Sequence, residues 1–520
     1  MKKIMAVLVI LIMTTALVFA AGSSSTTTTG AVSIRVETFD RGTDGGRTNA
    51  ANNAWTQWIQ EKVKRDLNID VTFVAVGRWS ETTDLPNLLA SNTAPDLCYT
   101  YDGGMISNFR DRGGILNIQP YMERLLPDMK KLLGPDPALT GKDFIYRQLD
   151  PQGRVFSIPS YRVALAQRNV FIRKDWLDTL GMALPTTIQQ FHDALVAFRT
   201  RDPGRVGAAN IIPLMQDNDT RWGLANFMHG SIPANITDKD RYINSVADRN
   251  LLMPNYKEGV RLMNTWYNEG LIYRDFALMT TGTDDFYNVL KSGMAGAFSA
   301  NWDIPFRTDY SINTDLARNV PGASFVPVDV GTKDMMDKAG LQIFVPSAST
   351  PRAEAALRYL NWLCIQENYS YLQIGQPGVN HNMVNGVPQT IAATGPWIQN
   401  SGNNIDLTMP MNGVERGSAA ANAAVLALSY AGIPPETIVN AYDIATRNAR
   451  APVVVNMPTS QDGIYGADLR QKADDLLAQA IAATPANFDR IWDAGIQDWL
   501  RSGAQAILDE RTTIANAWRW

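Results

Sequence analysis

Cysteine is scarce in this chain. Among 520 residues there are two, Cys98 and Cys364. They lie far apart in sequence, so a disulfide is permitted but not implied. Cys98 falls in the strand-like DLCYTY and Cys364 in the helix-like ALRYLNWLCI. Two separately buried thiols are the expectation, because a free cysteine packs as a small hydrophobe. Histidine is equally rare. His192, His229 and His381 sit in unrelated segments, which argues against a histidine-based metal site or triad. The sequence holds no GxSxG, no HExxH and no GxxxxGK[ST], the local signatures of a nucleophile elbow, a zinc helix and a phosphate-cradling loop. There is no basic run and the net charge is −4, so nucleic acid is not an expected partner. Beyond the N-terminus no apolar run is long enough to span a membrane.

Carboxylates are abundant, but pairs such as Asp284–Asp285 and Asp474–Asp475 are adjacent and do not share a helix face. They read as solvated faces. A glycosidase needs only two carboxylates, so a secreted glycan hydrolase or lyase stays open at this point.

The length exceeds one ordinary hydrophobic core and implies two lobes or domains. Composition is that of a globular protein, 45% apolar and 19% charged. MKKIMAVLVILIMTTALVFA has a positive start, an apolar centre and a small-residue cleavage site, with cleavage expected after Ala20. The tract that follows, residues 21–31, reads as a flexible linker. No cysteine stands near the cleavage site, so a lipid anchor is not expected.

VSIRVETF, IDVTFVAV and APDLCYTY read as strands, separated by a helix over 52–67 and one over 80–91 capped by Ser80. Strand, helix, strand, helix, strand is the grammar of a parallel α/β sheet, whose strand C-termini carry the site. A second α/β region follows. LPTTIQQFHDALVAFRT is a helix with a Thr186–Gln189 capping box and an apolar stripe of Phe191, Leu195 and Phe198. Thr350 is the expected cap of a further helix, with Pro351 as its first residue. The C-terminal third is helical, with Phe488, Trp492, Ile496 and Trp499 on one face.

Tryptophan is the positive signal, with 13 in the chain. Trp58, Trp266, Trp362 and Trp492 fall on helix stripes and are assigned to the core. Trp79, Trp222 and Trp302 stand at strand ends or loops beside Arg or Asp. A flat apolar face stacks on a pyranose ring while neighbouring charges take its hydroxyls. The plain alternative is that these rings plug the edges of a lobe.

The order of TAPDLCYTYDGG, GRVFSIPSYR, NVFIRKDWLDTLGMALPTTIQQFHDAL, EGLIYRDFA, KSGMAGAFSANWD, ENYSYLQIGQPGVNHNMVNG and FDRIWDAGIQDWLRSGAQ resembles family 1 of the extracellular solute-binding proteins of ABC importers. Within it the chain is similar to the large oligosaccharide-binding branch of LplA-type and alginate-binding proteins. The resemblance implies a two-lobed periplasmic-binding-protein fold of type II: an α/β lobe at 32–160 with about 337–375 returning to it, and a second at 161–336 with most of 376–520 added. It places the first crossing between lobes near 158–163 and the second near 328–341. It makes Trp302 the first ligand residue, with Asp303 accepting a hydroxyl, so that Trp302→Ala is expected to lose at least tenfold in affinity with the fold intact. Strand-end geometry adds Asp40 and Arg41, Tyr101 and Asp102, and Tyr161 and Arg162. Asn380 and His381 match the family's turn in part, with Asn382 where an aromatic is common. Relatives carry an acidic calcium loop after the helix ending here at Arg201. This chain reads RDPGRVGAAN, which lacks the spaced acids that calcium needs.

The function so implied is capture of a carbohydrate by a monomeric periplasmic or secreted binder, without cofactor, metal or catalysis, for delivery to a membrane permease. The alternatives are a secreted glycan-degrading enzyme and a ligand-binding sensor of the same fold.

Overall fold

The computed structural model describes residues 30–42, 48–135, 143–150, 152–281, 283–307, 310–384, 386–391, 395–399, 404–413, 419–428, 430, 432–455, 459–518 and 520. The leader and most of the linker lie outside them. Among the described residues no helix is long and apolar enough to cross a membrane.

The chain folds as two α/β lobes. The first begins with β1 (Val32–Asp40) and β2 (Ile69–Gly77), parallel and in register from Val32–Ile69 to Asp40–Gly77. Between them runs the helix Ala54–Leu67. Asn53 caps it by accepting from the amides of Trp55 and Thr56, and the Thr56 hydroxyl accepts in return from the Asn53 amide. Asn68, at φ 54°, ends it in the left-handed region that Asn tolerates. Trp55, Ile59 and Val63 face inward. β3 is only Cys98–Thr100, shorter than the expected strand. The segment before it meets β1 only at a single parallel bridge, Val36–Leu97, and the Asp96 carboxylate adds bonds from the Arg35 amide and the Ser349 hydroxyl.

β4 (Ile158–Arg162), β9 (Ala339–Phe344) and β12 (Met411–Asn412) complete this lobe's mixed sheet in the order β12-β4-β9-β3. β9 runs antiparallel to both β3 and β4, while β12 is parallel to β4. The hydrophobic cluster beneath draws on β1, β2 and the helices Ala54–Leu67 and Ala353–Leu363, with Leu407 and Met409 returning from far along the chain.

The second sheet has the order β6 (Ile212–Met215), β7 (Ala295–Asn301), β5 (Arg168–Arg173), β8 (Phe325–Val328). Its strands are buried on both faces, and side chains alternate between two clusters as a period of two requires. Val170, Ile172, Leu214 and Ala297 face one. Phe171, Met215 and Phe298 face the other. The first is covered by the helices Ile188–Arg201 and Tyr256–Asn268 and by C-terminal residues from Leu469 to Ile507. The second is covered by the helix Pro435–Thr446.

The helix Ser460–Ala482 touches both lobes. Its Leu469 and Leu477 join the second lobe's cluster. Its N-terminal half lies on the helix Gly103–Asp111: Asn108 Nδ2 donates to the Gly463 carbonyl at 2.8 Å, and Arg470 pairs with Asp102 at 3.0 Å.

Three local expectations shift. Thr187, not Thr186, caps the helix Ile188–Arg201, accepting from the Gln190 amide, and the Gln190 side chain reaches back to Thr186. The helix after Thr350 begins at Ala353, because residues Ser347–Arg352 form a tighter 3₁₀ turn first. Ser80 directs its hydroxyl to the Asp84 carboxylate and makes no cap. Cys98 and Cys364 are both buried and unbonded to each other.

Gly296 shows how tightly the second sheet is packed. A Cβ there would lie 2.5 Å from Phe198 and 2.8 Å from Trp176. Gly296→Val is expected to lower stability by at least about 1–3 kcal/mol through overpacking, read as a fall in the urea midpoint; an unchanged midpoint would show that the site relaxes freely.

Candidate functional site

Two open cavities of about 440 and about 470 Å³ meet between the lobes, sharing Asp248, Asp337, Val453 and Val455. The first has Tyr101, Arg110, Arg147 and Gly340 in its wall. The second has Arg168, Trp222, His229, Tyr256 and Arg511. Residues from both lobes therefore face one cleft.

On the first lobe the cleft begins at the ends of β1, β2 and β3. Phe39 and Tyr101 stack with ring centres 6.1 Å apart. The Arg78 guanidinium lies 4.4 Å from the Tyr101 ring, 5.4 Å from Phe39 and 5.0 Å from Trp79. Arg41 forms a bidentate pair with Asp406 at 2.7 and 2.8 Å. Beneath them Glu37 and Glu81 are buried, and burial raises both carboxyls, Glu81 to about 7. One oxygen of each has no hydrogen-bond partner among the described residues, while the other Glu81 oxygen accepts from Arg78 at 3.3 Å.

Residues flanking β4 and β9 supply the cleft floor. Arg147 grips Asp337 at 2.7 and 2.5 Å, and Arg162 donates to the Asp337 carbonyl at 2.9 Å. On the second lobe His229 Nδ1 lies 2.7 Å from Asp334, while Asn250 donates to His229 Nε2 at 2.9 Å. That geometry suits a neutral ring, and burial pushes the His229 pKa down. Burial alone would raise Asp334, but hydrogen bonds from His229 and Arg450 hold it well below the usual carboxylate range. Arg168 stacks 4.1 Å over Trp222 and donates to its carbonyl.

The structure brings Tyr101 and Trp222 to the cavity walls, with Arg162 beside the Gly340 wall of the first. Asp40, Arg41 and Trp79 stand at strand ends of the first lobe. Trp79 is 71% exposed; Asp40 accepts from the Gly42 amide. Asp102 caps the helix Gly103–Asp111 and pairs with Arg470, while Tyr161 packs edge-on against Phe144. Asn380 and His381 hold their own turn: Asn380 bonds the Gln376 amide and the Trp397 carbonyl, and His381 Nδ1 faces the Ile374 carbonyl. Neither lines either of these two cavities.

Trp302 is placed differently from the expectation. It is 6% exposed and belongs to the hydrophobic cluster under the helix Pro435–Thr446. Its ring meets Tyr442 edge-on at 5.3 Å and Tyr430 at 6.1 Å, and Asp303 accepts from the Tyr430 hydroxyl at 2.6 Å. The apolar surroundings of the ring, supplied by residues over a hundred positions downstream, draw it inward. The residues that sequence reading missed are Arg147, Asp337, Arg168, Arg221, His229, Asp334, Arg450 and Arg511. They converge from separate segments with no shared motif.

No group of three His, Cys, Asp or Glu able to hold a metal occurs among the described residues. Asp202 in the RDPGRVGAAN loop accepts from the Val206 and Gly207 amides at 2.9 and 2.8 Å, closing a turn on itself.

Two outcomes follow from this placement. Trp302→Ala should cost about 3–5 kcal/mol of stability through lost packing, measured by urea unfolding; unchanged stability would free the ring for another role. Glu81 keeps its proton when folded up to about pH 7, against 4.5 for an ordinary glutamate. Between those values the folded state binds more protons, so stability falls as pH rises. From about pH 5 to about pH 8 the native chain should lose stability relative to Glu81→Gln in parallel urea titrations, and parallel curves would contradict a buried neutral acid.

The comparisons with known proteins agree with this fold. A family model described as bacterial extracellular solute-binding protein matches residues 47–364, more than half of the chain. The fructooligosaccharide ABC transporter substrate-binding protein FusA of Streptococcus pneumoniae is 24% identical over 237 residues, 42% of this chain and 39% of FusA. In the solved complex of FusA with kestose the fold matches at a TM-score of 0.64, with 14% identity, over 93% of this chain and 99% of that one. The polygalacturonan/rhamnogalacturonan-binding protein YtcQ of Bacillus subtilis is 21% identical over 472 residues, 87% of this chain and 83% of YtcQ. The solved structure of the alginate-binding protein AlgQ2 without calcium matches at a TM-score of 0.64, with 15% identity, over 94% of this chain and 98% of that one. This chain belongs to the bacterial extracellular solute-binding proteins.

Proposed function

We propose that the chain is the solute-capturing component of an ABC importer and that it binds an oligosaccharide between its lobes. The observation that carries this reading is the cleft itself, open, polar and walled by an aromatic ring from each lobe, Tyr101 on one side and Trp222 on the other. Rings at a polar wall stack on sugar faces while arginines and aspartates take hydroxyls. Relatives named for fructooligosaccharide, polygalacturonan and alginate binding support the same class. The segments 158–163 and 328–341 act as the hinge. Closure buries the ligand only to the extent that it binds the closed form better. The closed form docks on a permease as a monomer outside the cytoplasm.

Capture without turnover is the chemistry these charges favour. Glycan hydrolysis needs one carboxyl kept protonated as acid at the scissile bond. In this cleft Asp337 and Asp334 are each held by an arginine and are not free to serve as that acid, while Glu81, which keeps its proton, lies beneath the wall and lines neither cavity.

A thermal-shift screen of the chain from Ala21 against mono- and oligosaccharides tests the reading. A ligand at 100 times its dissociation constant adds roughly 2.7 kcal/mol. A shift with the sugar recovered intact is expected; a shift with the sugar cleaved would make the protein an enzyme. For the sugar that binds, Trp222→Ala should weaken affinity at least tenfold in calorimetry, with little change in melting temperature, and an unchanged affinity would remove Trp222 from the contact surface.

A further inference from the structure

The cleft carries more positive charge than its own carboxylates neutralise, although the whole chain is net negative, −4. The wall of the second cavity holds Arg168, Arg221, Arg241, Arg450 and Arg511 against Asp248, Asp334 and Asp337. Of these acids Asp334 is already taken by Arg450 and His229, and Asp337 by Arg147. Asp248 is largely exposed and lies 3.9 Å from Arg470.

Arg168 and Arg511 are the informative residues. Both are buried, at 6% and 9% exposure. Arg168 donates to the Trp222 carbonyl and to the Gln167 side-chain oxygen at 3.1 Å. Arg511 Nη1 donates to the Tyr242 carbonyl at 3.0 Å, and its Nε has no partner. Neither forms an ion pair with a carboxylate among the described residues. Arg221 beside them has one long contact, 3.4 Å to Asp219, and its Nε also lacks a partner. Elsewhere in the fold a buried arginine is matched by an acid, as Arg173 is by Asp175 and Arg249 by Asp474. A guanidinium withdrawn from water without a counter-charge is costly, and nearby carbonyl dipoles offset only part of that cost. Neutral hydroxyls would add hydrogen bonds but no compensating charge. Carboxylates and sulfate esters supply both, and the guanidinium fork matches them in plane.

We propose that the ligand of this cleft is an anionic oligosaccharide, whose carboxylate or sulfate groups seat on Arg168, Arg221 and Arg511 while its sugar faces meet Trp222 and Tyr101. The assignment rests on the reading of the cleft as an oligosaccharide site and deepens it.

Calorimetry of the chain from Ala21 tests it with four sets of probes: oligogalacturonate, oligomannuronate and oligoguluronate; the methyl esters of the same uronates; sulfated chondroitin oligosaccharides; and neutral cello-, malto- and fructo-oligosaccharides. The expected result is binding of an anionic member in preference to every neutral one, at least tenfold weaker in 300 mM than in 50 mM NaCl. Loss of affinity on esterification assigns the charge to carboxylates, and binding of the sulfated probes alone assigns it to sulfate. Arg168→Gln should weaken the acid at least tenfold. The ester comparison on the native chain keeps the test intact if that variant does not fold. Binding of neutral oligosaccharides alone, unaffected by salt or by Arg168→Gln, would overturn the anionic assignment and leave the sugar-binding reading standing. Binding of no sugar in any set would overturn both.

Discussion

The antiparallel pairing of β4 with β9 is the constraint on which the rest of the molecule depends. Two segments remote in the chain meet there, Ile158 against Ile343 and Pro159 against Gln342. The register shifts between Pro159 and Tyr161. Gly340 lies so close to Ser160 that a Cβ would collide with its hydroxyl. Past the shift, the Arg162 amide donates to the Lys338 carbonyl and the Val163 amide to Asn412. The chain leaves the first sheet after β4 for β5 of the second, and returns from β8 into β9 alongside β4. The cleft floor is made of their flanks, which is why Arg147, Arg162 and Asp337 sit at its centre.

In the proposed hinge motion, contacts across the mouth set how far the lobes part. The helix Ser460–Ala482 packs in the second lobe yet reaches the first through Gly463 and Arg470. Asp462, at the same contact, is buried, and burial raises its carboxyl to about 6. Opening the cleft fully would break the Asp102–Arg470 pair. Such partly exposed pairs are individually weak, so a ligand bridging the lobes can exceed their contribution.

Much of the scaffold was legible because its signals are local. Alternation in VSIRVETF and IDVTFVAV identified β1 and β2, and the stripe Phe191, Leu195, Phe198 identified a helix whose buried face is that stripe. The family order of motifs carried the two-lobed arrangement. The site was less legible because its partners are remote. Arg41 finds Asp406 365 residues away, so a residue that suited an acidic ligand is already matched within the protein. Arg162 is not. Trp302 looked like a displayed ring because nothing near it in sequence shows that Tyr430 and Tyr442 will surround it. The arginines of the second cavity come from β5, the helices Thr220–Gly223, Asp238–Asn244 and Gln505–Ala517, and the segment around Arg450, and no spacing rule links them.

The central claim is that the two lobes close on an intact ligand. Small-angle X-ray scattering of the chain from Ala21, with and without a saturating sugar found to bind it, tests that claim most directly. The account predicts a smaller radius of gyration in the bound state and sugar recovered unchanged afterwards. An identical scattering profile at saturation, or sugar recovered in fragments, would contradict it.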